Sequence, residues 1–286
     1  MPGSRYLRFA AYGAGGLLIL LGLLLAFAHT RSVKQFGLQQ AERILRGQGI
    51  GLQASKLDYN LITGRLELLN VRVQSMQTPD LPPLLLADRI AVAIQLRPLL
   101  SGAYYLEDAA IDNPQVQVVV AADGRDNIPR PPKKNGPSPT VDYLVRKLLI
   151  SGGAVRVKDR RQQLTALLPL DRLTVDGDPL TRNHRVSMRS KDGGQVALAG
   201  HSLPLRGIAL DAVVEKDAVQ IGALRAPLGE SSVSVSGRIS GFDDPRFDVH
   251  GDASLALAPL AEFANDPRKV RGTVNAAFTA TGPVAG

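Results

Sequence analysis

An unbroken apolar run, Phe9 to Ala28, precedes a long stretch in which apolar and polar residues alternate with a period of two. The run holds Leu17, Leu18, Ile19, Leu20, Leu21, Leu23, Leu24 and Leu25, and carries no charge. About 20 apolar residues at a helical rise of about 1.5 Å each match a hydrocarbon core of about 30 Å. Residues 9–30 therefore read as a transmembrane anchor behind a short cytosolic leader, residues 1–8. A cleaved signal peptide is the competing reading. Leu17–Leu25 has the length of its apolar part, and Ala26-Phe27-Ala28 has the small-x-small form of a cleavage site. Both readings export the remainder of the chain. Residues 31–49 follow as a juxtamembrane helical stalk, with Val33, Leu38, Ala41 and Leu45 at helical spacing and Gly47 and Gly49 ending it.

From residue 50 the period becomes two. Leu57, Tyr59 and Leu61 alternate with Lys56, Asp58 and Asn60; Thr63-Gly64 marks a turn; Leu66 and Leu68 return. The phase then slips, because Leu69, Val71 and Val73 continue on the other parity, and a bulge near Leu69-Asn70 reconciles the two halves. Ile90, Val92, Ile94 and Leu96 make a second apolar face, and Val116, Val118 and Val120 a third. Residues 50–122 thus form one β unit. Residues 123–140, with Pro129, Pro131, Pro132, Pro137 and Pro139, form a loop or linker that cannot donate ladder hydrogen bonds. Residues 141–286 read as a run of short strands: Val155/Val157, Val196/Leu198, Ile208/Leu210, Val219/Ile221, Val233/Val235, Phe247/Val249 and Val274/Ala276/Phe278. Helical periodicity beyond the stalk is confined to short stretches near Arg97–Leu100 and Pro259–Ala264, which excludes a βαβ parallel sheet. The expected fold is mainly β, antiparallel and elongated. The chain stops in mid-rhythm at Gly286, which reads as a longer β structure cut short.

Charge changes the picture only at the membrane end. The formal net charge is +8, and residues 1–35 contribute four basic side chains, Arg5, Arg8, Arg31 and Lys34, and no acidic one. Anionic lipid headgroups are the natural counterpart. Nucleic acid is not expected as a partner, since the other charges are dispersed, there is no Trp, and basic–aromatic interleaving is lacking. No cysteine is present, so disulfides and thiolate metal sites are excluded.

Candidate chemistry is sparse, and neither an enzyme nor a cofactor is expected. His29, His184, His201 and His250 share no metal-ligand spacing; the last three read as exposed strand or loop positions. Asp176-Gly177-Asp178 starts like a calcium loop, but Leu180 and Arg182 stand where ligands are needed, so a turn is expected. Asp243-Asp244-Pro245 reads as a solvated turn rather than an acid–base pair. The alternating faces remain. Leu57, Tyr59, Leu66, Leu68, Ile90, Val92, Ile94, Leu96, Val116, Val118 and Val120 line either an ordinary packed core or an apolar groove.

The order of features over residues 50–128 resembles a known family. Ile50 to Val73 (IGLQASKLDYNLITGRLELLNVRV) is followed by ADRIAVAIQLRPLLSG, LEDAAIDNPQVQVVV and DGRDNIP. Later come LLISGGAVRVKD and VSVSGRISGFDDPRFDVHGDASLALAPL. This succession behind an N-terminal anchor is similar to the AsmA-like family, its TamB branch most of all, within the bridge-like lipid-transfer superfamily. The resemblance implies a U-shaped, taco-like β-sheet groove anchored in the bacterial inner membrane, with the bulk of the chain in the periplasm. It implies phospholipid as the cargo, the eleven residues above as groove lining, and transport between inner and outer membranes. It also implies an outer-membrane assembly barrel as a partner, reached through a C-terminal part absent from this sequence. The alternative is an assembly scaffold that binds partner strands by β-augmentation.

Overall fold

A computed structural model describes residues 43, 45–60, 64–95, 104–130, 143–242, 244–263 and 270–283. The apolar run, the basic residues Arg5, Arg8, Arg31 and Lys34, most of the stalk, Leu96 and Arg97–Leu100 lie outside the described residues. Of the stalk, Arg43, Leu45, Arg46 and Gly47 are helical, and Leu45 is buried in the main core.

The alternating segments form β1 (Ile50–Gln53), β2 (Lys56–Asn60), β3 (Arg65–Ser75), β4 (Leu85–Ile94), β5 (Tyr104–Asp112) and β6 (Gln115–Val120). Then follow β7 (Tyr143–Val145), β8 (Lys147–Ser151), β9 (Ala154–Asp159), β10 (Leu164–Gly177), β11 (His184–Ser190) and β12 (Gly194–Leu198). The rest comprises β13 (His201–Leu205), β14 (Ala209–Val214), β15 (Ala218–Leu228), β16 (Ser231–Ser240), β17 (Arg246–Ala256), the short helix α1 (Leu257–Phe263) and β18 (Thr273–Pro283). All eighteen strands belong to one sheet.

Several strands are halves of one longer strand. β1 and β2 pair end to end along the same side of β3, and β5 and β6 pair along β4. β7, β8 and β9 continue one another, as do β11 with β12 and β13 with β14. The pairings therefore give twelve strand positions in chain order: β1/β2, β3, β4, β5/β6, β7–β9, β10, β11/β12, β13/β14, β15, β16, β17 and β18. Every neighbouring pair is antiparallel except one. β7, β8 and β9 run parallel to β5 and β6, which departs from the all-antiparallel expectation. The reason is connection length: a two-residue turn forces an antiparallel return, whereas the proline-bearing stretch between β6 and β7 lets the chain restart at the opposite end. That stretch joins two parts of a continuous sheet.

The divided strands share a transverse crease. The phase slip read from sequence falls at Asn70, which adopts a left-handed φ of 50°. Its Nδ2 donates to Ser55 Oγ at 2.8 Å in the gap between β1 and β2. At the same level Asn113 (φ 50°) donates to Asp88 Oδ2 at 3.1 Å, and Gly153 (φ 91°) lies against Pro114. A Cβ on Gly153 would stand 2.2 Å from the Pro114 carbonyl oxygen, so only glycine fits. The crease shifts strand parity, and so both Leu68 and Val71 are buried. The main core accordingly contains Leu66, Leu68, Ile90, Val92 and Ile111 on one side of the crease and Leu52, Val71, Val73, Leu85 and Ala87 on the other.

The sequence reading differs from the structure in further places. β5, β10 and β11 are full strands that simple alternation did not single out, and Ile208 lies just outside β14. His250 is exposed as expected, but His184 and His201 are half-buried. Asp178 makes the expected turn, its Oδ1 accepting from the Leu180 amide at 2.8 Å.

Candidate functional site: a continuous apolar face

Residues directly opposite in adjacent strands project on the same face, so the pairing register shows what each face carries. One row starts Leu57–Leu68–Ile90–Ile111–Ile150–Leu173. It continues Met188–Leu210–Leu224–Val235–Gly251–Phe278 and so crosses all twelve positions without a polar side chain. A second row, two residues along, runs Tyr59–Leu66–Val92–Ala109–Leu148–Val175. It goes on through Val186–Ala212–Ile221–Gly237–Val249–Ala280. Beyond the crease a third row runs Leu52–Val73–Leu85–Val116–Val155–Leu168.

The alternate positions carry charge. Arg89, Asp112, Arg172, Arg189, Arg225 and Asp252 stand in one interrupted row on the other face. Arg89 Nε donates to Asp112 Oδ2 at 2.7 Å. Arg189 Nη2 donates to Asp211 Oδ2 at 2.9 Å and, with the Ser187 hydroxyl, holds that carboxyl below its ordinary range. Arg238 does the same for Glu215. The sheet is thus two-faced along its whole length.

Coverage of the apolar face fades from the first strands to the last. Leu68, Ile90 and Ile111 are at most 1% exposed. Leu173, Met188, Leu210, Leu224 and Val235 are half-buried, and Phe278 is 36% exposed. Nearly every described side chain of β18 faces solvent. Among the groove candidates read from sequence, Leu66, Leu68, Ile90, Val92 and Ile94 sit in the closed core, with Leu57 and Val116 packed against it. Tyr59, Val118 and Val120 are half-buried, Val118 opposite Val157 and Val120 opposite Asp159. The open stretch lies further on, from β10 to β18. Leu173 and Met188 lacked a clean alternation to mark them; Val235 and Phe278 were legible as strand residues but not as continuations of the Leu68 row.

Among the described residues no helix is long and apolar enough to cross a membrane, and no group of three His, Asp or Glu is placed to hold a metal ion. No family model and no curated protein matches the chain.

Proposed function

We propose that this protein is a membrane-anchored conduit for lipid acyl chains, which travel along the apolar rows from β10 towards β18. The observation that carries this reading is the Leu57-to-Phe278 row, uninterrupted by polar side chains. A row that only filled a core would have no need to continue through strands where it stays half-open. An acyl chain of about 16 carbons crossing water exposes methylenes worth about 0.8 kcal/mol each, a barrier on the order of 10 kcal/mol. A face of Val, Leu, Ile and Ala offsets most of that without fixing the ligand at one place. The motif order shared with the AsmA-like family and the apolar run at residues 9–28 support an inner-membrane anchor, a periplasmic sheet and phospholipid as cargo.

A photoreactive residue placed at Leu224 or Val235 tests the reading in membrane-inserted protein, with Leu68 as the buried control. Lipid adducts are expected at the first two positions and not at the third. Val235→Asp should lower lipid transfer at least tenfold while the protein stays folded. Among the described residues β18 pairs with β17 alone, which favours a second reading, strand capture from an assembling partner. Folded variants that transfer lipid normally but lose partner assembly would establish that reading and exclude the conduit.

A further inference from the structure

The rim of the apolar face, where β10 turns into β11, holds one side chain that can take a charge near neutral pH. The rim row runs Gly177–His184–Val214–Val219–Ile239–Phe247. Every other member is apolar. Among the described residues His184 Nε2 is the one buried side-chain nitrogen or oxygen without a hydrogen-bond partner. Buried polar groups are nearly always paired, so an orphan of this kind calls for a reason.

The socket is tight. A Cβ on Gly177 would lie 2.1 Å from the Val145 carbonyl oxygen and 3.1 Å from His184 Cδ2. The imidazole is therefore held against the point where β10 meets the β7–β8 strand, beside the parallel junction. Among the described residues Arg182 is the one charged group that acts on the ring, and at the junction Arg146 Nη1 stands 3.6 Å from Glu107 Oε1. On β10, Asp176 stands in register with Arg185 and Lys147 on the opposite face. Asp178, in the turn, accepts from the Leu180 amide. Glu215, following β14, is engaged by Arg238. Arg182, in the turn before β11, donates to the Tyr105 hydroxyl at 2.8 Å and lies 5.1 Å from its ring centroid, bringing a cation to the rim.

We propose that His184 is a pH-sensitive latch, closed when the ring is neutral, whose protonation opens the β10–β11 rim beside the junction of the two parts of the sheet. Burial, reinforced by Arg182, pushes the ring's pKa below its ordinary value, in the direction this geometry requires. The sign follows. In the opened rim the ring regains an ordinary pKa of about 6.5. The closed state is fully favoured above that value, and its advantage is lost as pH falls below it. The latch does not depend on what the apolar face carries.

Hydrogen exchange on the full chain in detergent, at pH 7.5 and 5.5 and corrected for intrinsic rates, tests the proposal. The amides of Val175–Gly177 and His184–Val186 should lose protection at least about threefold at the lower pH, while those of β3 and β4 stay unchanged. His184→Leu should abolish the difference. His184→Gln, neutral and similarly polar, serves if the leucine variant does not fold, and it should be equally insensitive to pH. In the wild type, the ring resonances of His184 should titrate below the ordinary histidine value of about 6.5. A rim with constant protection, equal loosening in the neutral variants, or an ordinary His184 titration would each overturn the latch.

Discussion

Asn127 closes an edge that β4 leaves open. β4 pairs with β6 only at Leu85 and Leu86, so the rest of that side of β6 needs another partner. Asn127 is fully buried there; its Oδ1 accepts from the Val119 amide at 2.9 Å, and its Nδ2 donates to Gln117 O at 2.7 Å and Pro82 O at 3.0 Å. Only an amide supplies one acceptor and two donors in this arrangement. Asn127→Ala strands all three backbone groups and should cost about 2–4 kcal/mol, read from the shift of the urea midpoint. Asn127→Asp should cost more at neutral pH, because a carboxylate would meet two carbonyl oxygens. Part of its loss should return on acidification, when the protonated acid can donate once. The residue was visible in sequence as part of DGRDNIP, but its task was not, since Pro82 and Gln117 come to it from elsewhere in the fold.

Elements differ in how far local pattern could identify them. β4 and each half of β3 alternate cleanly, and the slip between the two halves led directly to the irregularity at Asn70. That this irregularity belongs to a crease shared with Asn113 and Gly153 depends on pairing between distant segments, which one strand's periodicity does not contain. β10 was obscured by Leu167-Leu168-Pro169-Leu170, where three leucines and an interposed proline mask the period of two. The two sheet edges also contrast. β1 and β2 are short, interrupted, and carry the Lys56–Asp58 ion pair. β18 has eleven residues and no charge, and among the described residues its register is with β17 alone. Such an edge is a template for other strands. Ala277→Lys with Thr279→Lys, both off the apolar rows, should suppress concentration-dependent association in sedimentation experiments and leave the fold intact. Association unchanged by both lysines would show that the edge is not the contact.

At the scale of the molecule, stability should follow coverage. The rows through β3, β4 and β5 are closed on the apolar side, whereas those through β16, β17 and β18 are half-open or open. Local opening should therefore begin at the β18 end. Trypsin under native conditions is expected to cut first near Arg246 and Arg271, with β3–β6 persisting as a resistant fragment. Simultaneous loss of both regions would indicate a single cooperative unit.

The meander order has a consequence for reach. Adjacent strands in a sheet lie about 4.8 Å apart, so twelve positions extend the apolar face by roughly 50 Å across the strands. Each antiparallel hairpin returns the chain to the same side of the sheet with the same residues facing inward. Inserting or deleting one hairpin would change the span by about 10 Å and leave every existing row in register. The protein is in this sense a ruler graduated in hairpins: the distance it covers can be adjusted without altering the surface along which anything moves.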